Sequence, residues 1–172
     1  HVIHNGCDLN FFSPEDRAES RREIVCRHGL DTDVPLILFP GSDWVRKGLK
    51  QAFLVLACVP QAHLIVAGRD NSALWIKLAR HLGVAGRVIF APPTRGLRTY
   101  YRAADAVLLP TWSDPFANVS LEAVACGTPL ITTAYNGGCE IVKQGLNGFT
   151  AQSPADVEAM AEGLRILLAG RY

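Results

Sequence analysis

The sequence predicts an α/β fold built on an open, doubly wound parallel sheet with helices on both faces. Short apolar segments of strand length alternate with longer helical segments along most of the 172 residues, and this alternation is typical of right-handed βαβ units. Several apolar segments are hydrophobic at consecutive positions, as expected for strands buried on both faces. Hydrophobic residues make up 49% of the chain and charged residues 19%, which argues against a disordered protein.

The elements follow one another in a regular order after an opening segment. A charged helix is predicted over 15–28, with Glu23 and Arg27 four residues apart and Gly29 placed to end it. The strands are expected at 36–39, 63–67, 87–91, 106–109 and 129–133. The later helices are expected at 47–58, 71–82, 97–104, 118–126 and 155–169. In an open parallel sheet ligands bind beyond the carboxyl ends of the strands, so a site is expected in the loops that follow them.

Charge and cysteine content exclude several classes of protein. The 17 Lys and Arg residues against 16 Asp and Glu leave a formal charge of +1, which gives no general attraction to nucleic acid or anionic lipid. The five cysteines are an odd number without a CxxC pair, so neither a zinc site nor a disulfide framework is favoured. The apolar runs are shorter than the ~20 residues that a membrane-spanning helix needs. We therefore expect a globular protein of a reducing compartment.

The loop after the first predicted strand carries two adjacent cations. It reads Gly-Ser-Asp-Trp-Val-Arg-Lys-Gly over 41–48, and Arg46 and Lys47 stand where the next helix is predicted to begin. A helix N-terminus carries a partial positive charge, so cations there are unfavourable unless an anion lies between them and the free amides. The alternative is that both side chains extend into water.

A second candidate segment, 111–122, runs from a strand end into a helix. Asn118 is a good N-cap residue, and the amides that follow it are unpaired donors. Glu122 falls in the first turn, at the border of a predicted buried stripe formed by Leu121, Val124 and Ala125. Glu122 is then either a ligand-binding carboxylate or a favourable partner of the helix dipole, and its spacing alone favours the dipole.

A third segment, 134–142, is again a loop between a strand and a helix start. Its two adjacent glycines, Gly137 and Gly138, allow the backbone to approach a bound group closely. No GxGxxG, Walker, HExxH or Ser-His-Asp pattern accompanies these loops.

The order of these segments resembles the carboxyl-terminal, donor-binding domain of the retaining GT-B glycosyltransferases of group 1. The likeness is greatest to the lipopolysaccharide core glucosyltransferases, in which a G-S-D-aromatic-x-R-K-G loop is typical, and it covers nearly the whole chain. It implies a Rossmann-like domain, the second half of a GT-B fold. The matching motifs are NGCD at 5–8 followed by Phe12, GSDWVRKG at 41–48, the pair Asp114 and Glu122, and GGCEIV at 137–142.

The resemblance implies roles for individual residues. Lys47 matches the lysine that holds the donor diphosphate, with Arg46 as its helper, and Asp114 lies near the hydroxyls of the transferred sugar; these three are the candidate catalytic residues. Glu122 matches the second glutamate of the E-x7-E motif, which binds the ribose hydroxyls. The remaining donor-binding candidates are Gly41, Ser42, Ala117, Asn118 and Val119.

Three positions depart from the family pattern. Asp114 is one methylene shorter than the usual glutamate, which leaves the identity of the donor sugar open. Ala117 replaces a usual glycine, and its side chain limits how closely the backbone can approach the donor. Ser42 stands where many relatives have arginine, which shifts the cationic role to Arg46 and Lys47.

The implied reaction is transfer of a hexose from a nucleotide diphosphate sugar to an acceptor hydroxyl with retained configuration. A UDP-sugar is the preferred donor. No metal or other cofactor is expected, and the acceptor is expected to be a glycan or lipid-linked molecule of lipopolysaccharide or other cell-surface glycan synthesis. The protein is expected in the cytoplasm, and the full-length protein at the inner face of the cytoplasmic membrane, without a transmembrane segment or a nucleic-acid partner.

Domain boundaries follow from the same resemblance. Residues 1–14 are expected to form an interdomain segment and 15–172 the nucleotide-sugar-binding domain. An amino-terminal acceptor domain is expected to precede them, since the chain opens at His1 without methionine, and the present chain alone is expected to be inactive. Two alternatives stay open: a non-catalytic nucleotide-binding module of the same fold, to which the changes at Asp114 and Ala117 point, and a sugar-nucleotide epimerase.

Overall fold

The computed structural model describes residues 5–94 and 96–170 and confirms the predicted fold class. One parallel sheet contains β1 (Leu36–Pro40), β2 (His63–Ala67), β3 (Val88–Ala91), β4 (Ala106–Leu109), β5 (Leu130–Thr133) and β6 (Gly148–Ala151). The helices are α1 (Arg17–His28), α2 (Leu49–Ala57), α3 (Ala73–His81), α4 (Leu97–Ala103), α5 (Asn118–Ala125) and α6 (Val157–Gly170), with 3₁₀ turns at Ala85–Arg87 and Gly137–Ile141. The first four residues of the expected interdomain segment, Arg95 and the last two residues lie outside the described chain.

The central strands are buried on both faces, which explains their consecutive apolar residues. In β1, Ile37 and Phe39 belong to one hydrophobic core, whereas Leu36 and Leu38 belong to the other. The first core contains residues of α2 and α6, and the second contains residues of α1 and α4. The domain therefore has three layers, with the sheet between two helical layers.

Several element boundaries differ from the sequence prediction. The prediction missed β6, which pairs only with β5 at the sheet edge; an edge strand needs no continuous apolar run. The helix predicted to begin at residue 47 begins at Leu49, because Gly48 takes a left-handed conformation at the N-cap. At the end of α1, the left-handed C-cap Gly29 and the Glu23–Arg27 ion pair are as expected.

The sheet order places a switch point between β1 and β4. The strands run β3-β2-β1-β4-β5-β6, so the chain moves outward from β1 to β3 and then returns to the other side of β1. The loops that follow β1 and β4 consequently diverge and leave a crevice between them, which is where ligands bind in doubly wound sheets. These loops are residues 41–48 and 110–117.

We predict that Gly48→Ala strongly destabilises the domain. Gly48 has φ +80°, and a Cβ there would lie 2.0 Å from the carbonyl oxygen of Pro110. Left-handed strain and overpacking together should cost about 2–4 kcal/mol of unfolding free energy, measured by urea denaturation. The control is Gly86→Ala, where an added Cβ meets no atom within 4 Å. Equal stabilities of the two variants would contradict the prediction.

Candidate functional site

The β1–α2 loop is held in shape by Asp70, which follows β2. Its carboxylate accepts hydrogen bonds from the backbone amides of Asp43 (3.0 Å) and Trp44 (2.6 Å). The buried Trp44 indole donates to the carbonyl of Gly41 at 2.9 Å. Asp43 has φ +61°, a conformation that is uncommon outside glycine. The loop therefore has a fixed conformation that brings its two cations toward the β4–α5 loop.

Arg46, Lys47 and Asp114 meet in the crevice between β1 and β4. The Nζ atom of Lys47 and a guanidinium nitrogen of Arg46 lie 3.2 Å and 3.1 Å from the same oxygen, Oδ2 of Asp114. Arg46 also donates to Oδ2 of Asp43 at 2.6 Å and to the carbonyl of Ser113 at 2.6 Å. The structure thus brings together the three candidate catalytic residues of the sequence analysis.

The exposure of these groups differs, and so does their electrostatic setting. The side chains of Lys47 and Asp114 are only 10% and 11% exposed, whereas that of Arg46 is 39% exposed. Hydrogen bonds from Arg46, first to Asp43 and then to Asp114, raise the pKa of its guanidinium, and the bond to Arg46 lowers the pKa of Asp43. A nearly buried ammonium group needs a negative partner, and Asp114 is that partner here.

The amino terminus of α5 is not capped in the way that the sequence predicted. Ala117, rather than Asn118, is the N-cap residue, and Asn118 is already helical. The carboxamide oxygen of Asn118 instead accepts a hydrogen bond from Nδ2 of Asn5 at 2.8 Å. Within the described chain, no side chain caps α5. The amide of Ser120 donates to the carbonyl of Ala117 at 2.8 Å, so the donors that α5 can offer to an anion at the edge of the crevice are the amides of Asn118 and Val119.

The buried face of α5 also differs from the predicted stripe. Ser120 and Ala123 are buried, whereas the three residues of the predicted stripe are only half-buried: Leu121, Val124 and Ala125. The reason is the double-glycine loop, since a Cβ on Gly138 would lie 2.5 Å from Oγ of Ser120. A Cβ on Gly137 would lie 1.8 Å from the carbonyl oxygen of Pro115. The two glycines therefore allow the loop to pack closely against Pro115 and Ser120.

Glu122 is held by a tyrosine that the sequence analysis did not identify. The hydroxyl of Tyr101, on α4, donates to Oε2 of Glu122 at 2.8 Å. Burial, and then the charge of Glu122, raises the pKa of Tyr101 well above its ordinary value, so the phenol stays a donor. Cys7 lies in the same region, and burial together with the charge of Glu122 raises the pKa of its thiol. Glu122 is thus a positioned carboxylate, whereas its predicted place in the first turn was wrong: with Ala117 as the N-cap, the first turn of α5 contains no acidic residue.

A cleft of about 110 Å³ extends the crevice toward β2 and β3. The sequence analysis expected loops at this edge but named only Gly41 and Ser42 among the residues that line it. Oγ of Ser42 accepts a hydrogen bond from the amide of Arg69 at 3.1 Å, which joins the β1 and β2 loops. The lining residues are Gly41, Ser42, Ala67, Gly68, Arg69, Pro92, Pro93, Thr94 and Leu97.

Two general features complete the description. Over residues 5–94 and 96–170, no group of three or more His, Cys, Asp or Glu side chains is arranged to hold a metal ion. In the same part of the chain, no helix combines the length and apolar character needed to cross a membrane.

Tyr101→Phe is expected to reduce the unfolding free energy by about 1–2 kcal/mol, because a hydrogen bond to a charged acceptor is lost. The raised pKa adds a pH dependence: the contribution of Tyr101 is complete below its ordinary pKa of 10.0 and decreases as the pH rises toward the folded value. Urea denaturation from pH 7 to 11 measures both effects. The control is Tyr135→Phe, at a side chain that is 53% exposed. Identical losses at the two positions would contradict a specific bond to Glu122.

Comparisons with known proteins agree with the fold. The family model of glycosyl transferases group 1 matches residues 20–171. D-inositol 3-phosphate glycosyltransferase of Mycobacterium tuberculosis is 34% identical in an alignment that covers 97% of this chain and 35% of that protein. The chain therefore spans about a third of the length of the curated relatives that it matches.

Solved structures match over almost the whole chain. WaaG, a glycosyltransferase involved in lipopolysaccharide biosynthesis, has a TM-score of 0.86 at 28% identity, over 98% of this chain and 47% of that one. Sucrose-phosphate synthase from Thermosynechococcus elongatus has a TM-score of 0.87 at 28% identity, over 98% and 43%. The C-terminal domain of the group 1 protein LpcC from Francisella tularensis shares the fold, with a TM-score of 0.67 at 19% identity over 97% and 98%. The chain belongs to the glycosyl transferases of group 1 and has the fold of their donor-binding domain in GT-B enzymes.

Proposed function

We propose that this domain binds a nucleotide diphosphate sugar, with a UDP-sugar as the preferred donor. From this donor the whole protein transfers a hexose with retained configuration. The observation that carries the proposal is the pair of cations, Arg46 and Lys47, on one side of the switch-point crevice. They lie opposite the N-terminus of α5, which none of the described side chains caps. Both sides of the crevice attract negative charge. Membership in a transferase family favours this function over an epimerase or a non-catalytic nucleotide-binding module.

The diphosphate is proposed to replace Asp114 as the partner of the two cations. Asp114 now uses one oxygen for both Lys47 and Arg46. When phosphate oxygens take over these contacts, the carboxylate becomes free to accept hydrogen bonds from the hydroxyls of the donor sugar. Although Asp114 is shorter than the usual glutamate, its carboxylate reaches both cations. This contact argues against the alternative of a non-catalytic module, to which the change at Asp114 pointed.

Catalysis in this proposal is electrostatic. Negative charge develops on the leaving diphosphate as the bond to the sugar breaks, and donors that are already oriented toward it lower the barrier. Lys47, Arg46 and the first amides of α5 supply the positive charge that a metal ion would otherwise bring, so we propose that no metal is required. A front-face route through an oxocarbenium-like state fits a site with this charge arrangement and retained configuration.

The nucleoside is proposed to lie along the rest of the crevice. Tyr101 binds one oxygen of Glu122, so the carboxylate can bind a ribose hydroxyl without losing its orientation. The cleft between Gly41, Gly68 and Pro92 is then the place for the base, with backbone glycines close to a planar ring.

The acceptor is proposed to be a lipid-linked or lipopolysaccharide glycan, bound mainly by a preceding amino-terminal domain, with the whole protein working in the cytoplasm at a membrane surface. The similarity to WaaG supports this choice. The mycobacterial relative, by its name, uses D-inositol 3-phosphate, so a soluble phosphorylated acceptor is the second candidate.

Lys47→Ala should weaken UDP binding about tenfold or more, because a charge-assisted contact to phosphate is lost. Isothermal titration of the present chain with UDP, GDP and ADP measures the effect. Lys50→Ala is the matched control, since Lys50 is an exposed lysine on α2 and its removal changes the net charge equally. Equal affinities of the wild type and Lys47→Ala for all three nucleotides would contradict the proposed diphosphate site.

The full-length protein should transfer the sugar in excess EDTA and yield a product whose anomeric configuration, followed by proton NMR, equals that of the donor. Activity that EDTA abolishes and Mg²⁺ or Mn²⁺ restores would contradict the metal-independent mechanism. An inverted product would contradict retention. Transfer to soluble phosphorylated acceptors, with none to a lipid-linked or lipopolysaccharide core acceptor, would favour the second candidate.

A further inference from the structure

Asn136, directly before the two glycines, uses the whole hydrogen-bonding capacity of its side chain inside the protein. The residue has no exposed surface (0%). Its Oδ1 accepts hydrogen bonds from the amides of Gly138 (2.9 Å) and Ala117 (3.3 Å). Its Nδ2 donates to Oγ of Ser120 (3.1 Å) and Oγ1 of Thr132 (3.0 Å). A carboxamide offers two lone pairs and two protons, and all four are used.

These four partners belong to the elements that form one side of the crevice. Ala117 is the N-cap of α5, and Ser120 lies in its first turn. Thr132 belongs to β5, and Gly138 to the 3₁₀ turn Gly137–Ile141. One buried side chain thereby fixes the N-terminus of α5 relative to the sheet and to the double-glycine loop.

The backbone around Asn136 also holds Asp114. The amide of Asp114 donates to the carbonyl of Tyr135 at 3.0 Å, and the amide of Gly137 donates to the carbonyl of Asp114 at 2.9 Å. Asp114 and Asn136 thus form an isolated parallel bridge. Because a Cβ on Gly137 would overlap the carbonyl of Pro115, this packing depends on the absence of a side chain there.

We infer that Asn136 is a positioning residue for the diphosphate half of the donor site. Asn136 places the α5 amides and Asp114, whereas Asp70 places the loop with Arg46 and Lys47, so each side of the crevice has its own buried or half-buried positioning side chain. The inference rests on the proposed function, because the groups that Asn136 positions are those assigned to the diphosphate and the donor sugar. The competing view is that Asn136 only stabilises the fold.

The test compares UDP with uridine, which lacks the diphosphate. Asn136→Ala should weaken UDP binding about tenfold, or ~1.4 kcal/mol, and change uridine binding less than about twofold, in chemical-shift titrations of the present chain. The control is Asp105→Ala at the opposite edge of the sheet, where the carboxylate accepts from the amide of Leu36 at 2.7 Å and pairs with Arg21 at 3.1 Å. This control should lose stability without losing UDP affinity.

Two results would overturn the inference: unchanged UDP affinity in Asn136→Ala, or an equal loss for UDP and uridine. A wild-type chain that binds neither ligand would instead contradict the proposed function. If Asn136→Ala does not fold, Ser120→Ala removes one acceptor of Nδ2 and should reduce UDP affinity about threefold, again without affecting uridine. An unaffected UDP affinity in that folded variant would overturn the inference as well.

Discussion

One carboxylate oxygen, Oδ2 of Asp114, joins the two halves of the sheet at the point where they diverge. Lys47 and Arg46 reach it from the loop after β1, and Asp114 itself follows β4. The cost of holding a nearly buried ammonium group is offset only while an anion lies against it. The crevice therefore always contains negative charge next to Lys47, from the protein or from a ligand. Under the proposed function, donor binding is then an exchange of the anion that partners Lys47, not the filling of an empty site.

The sequence was sufficient for the parts of the fold that depend on burial alone. Strands such as β1 and β4 are apolar at every position because both of their faces are covered, so composition shows them directly. The edge strand β6 has one neighbour, and its short, mixed sequence carries no such signal. The conformation of Gly48 could not be read in advance either, since the carbonyl of Pro110 that excludes a side chain there is distant in the chain.

The candidate site, like the fold, has parts that the sequence predicted and parts that it could not predict. The grouping of Lys47, Arg46 and Asp114 was implied by the family resemblance, and it agrees with the rule that ligands bind beyond the carboxyl ends of the strands in a parallel sheet. The contacts of Asn136 and Tyr101 could not be predicted, since each joins segments far apart in sequence. An Asn before two glycines suggests an ordinary turn, and a Tyr on an amphipathic helix suggests core packing. Asn118 does not cap α5 for a related reason, since its side chain accepts a hydrogen bond from the distant Asn5.

The two glycines that open the second 3₁₀ turn, Gly137 and Gly138, face Pro115 and Ser120 of the protein, not the crevice. Their structural role is thus separate from the role that we propose for the residues that contact the donor. Under the proposed function, a change in a residue that contacts the donor need not disturb the packing of these two glycines against Pro115 and Ser120. The shape of the double-glycine loop and the contacts proposed for the donor are then set by different residues.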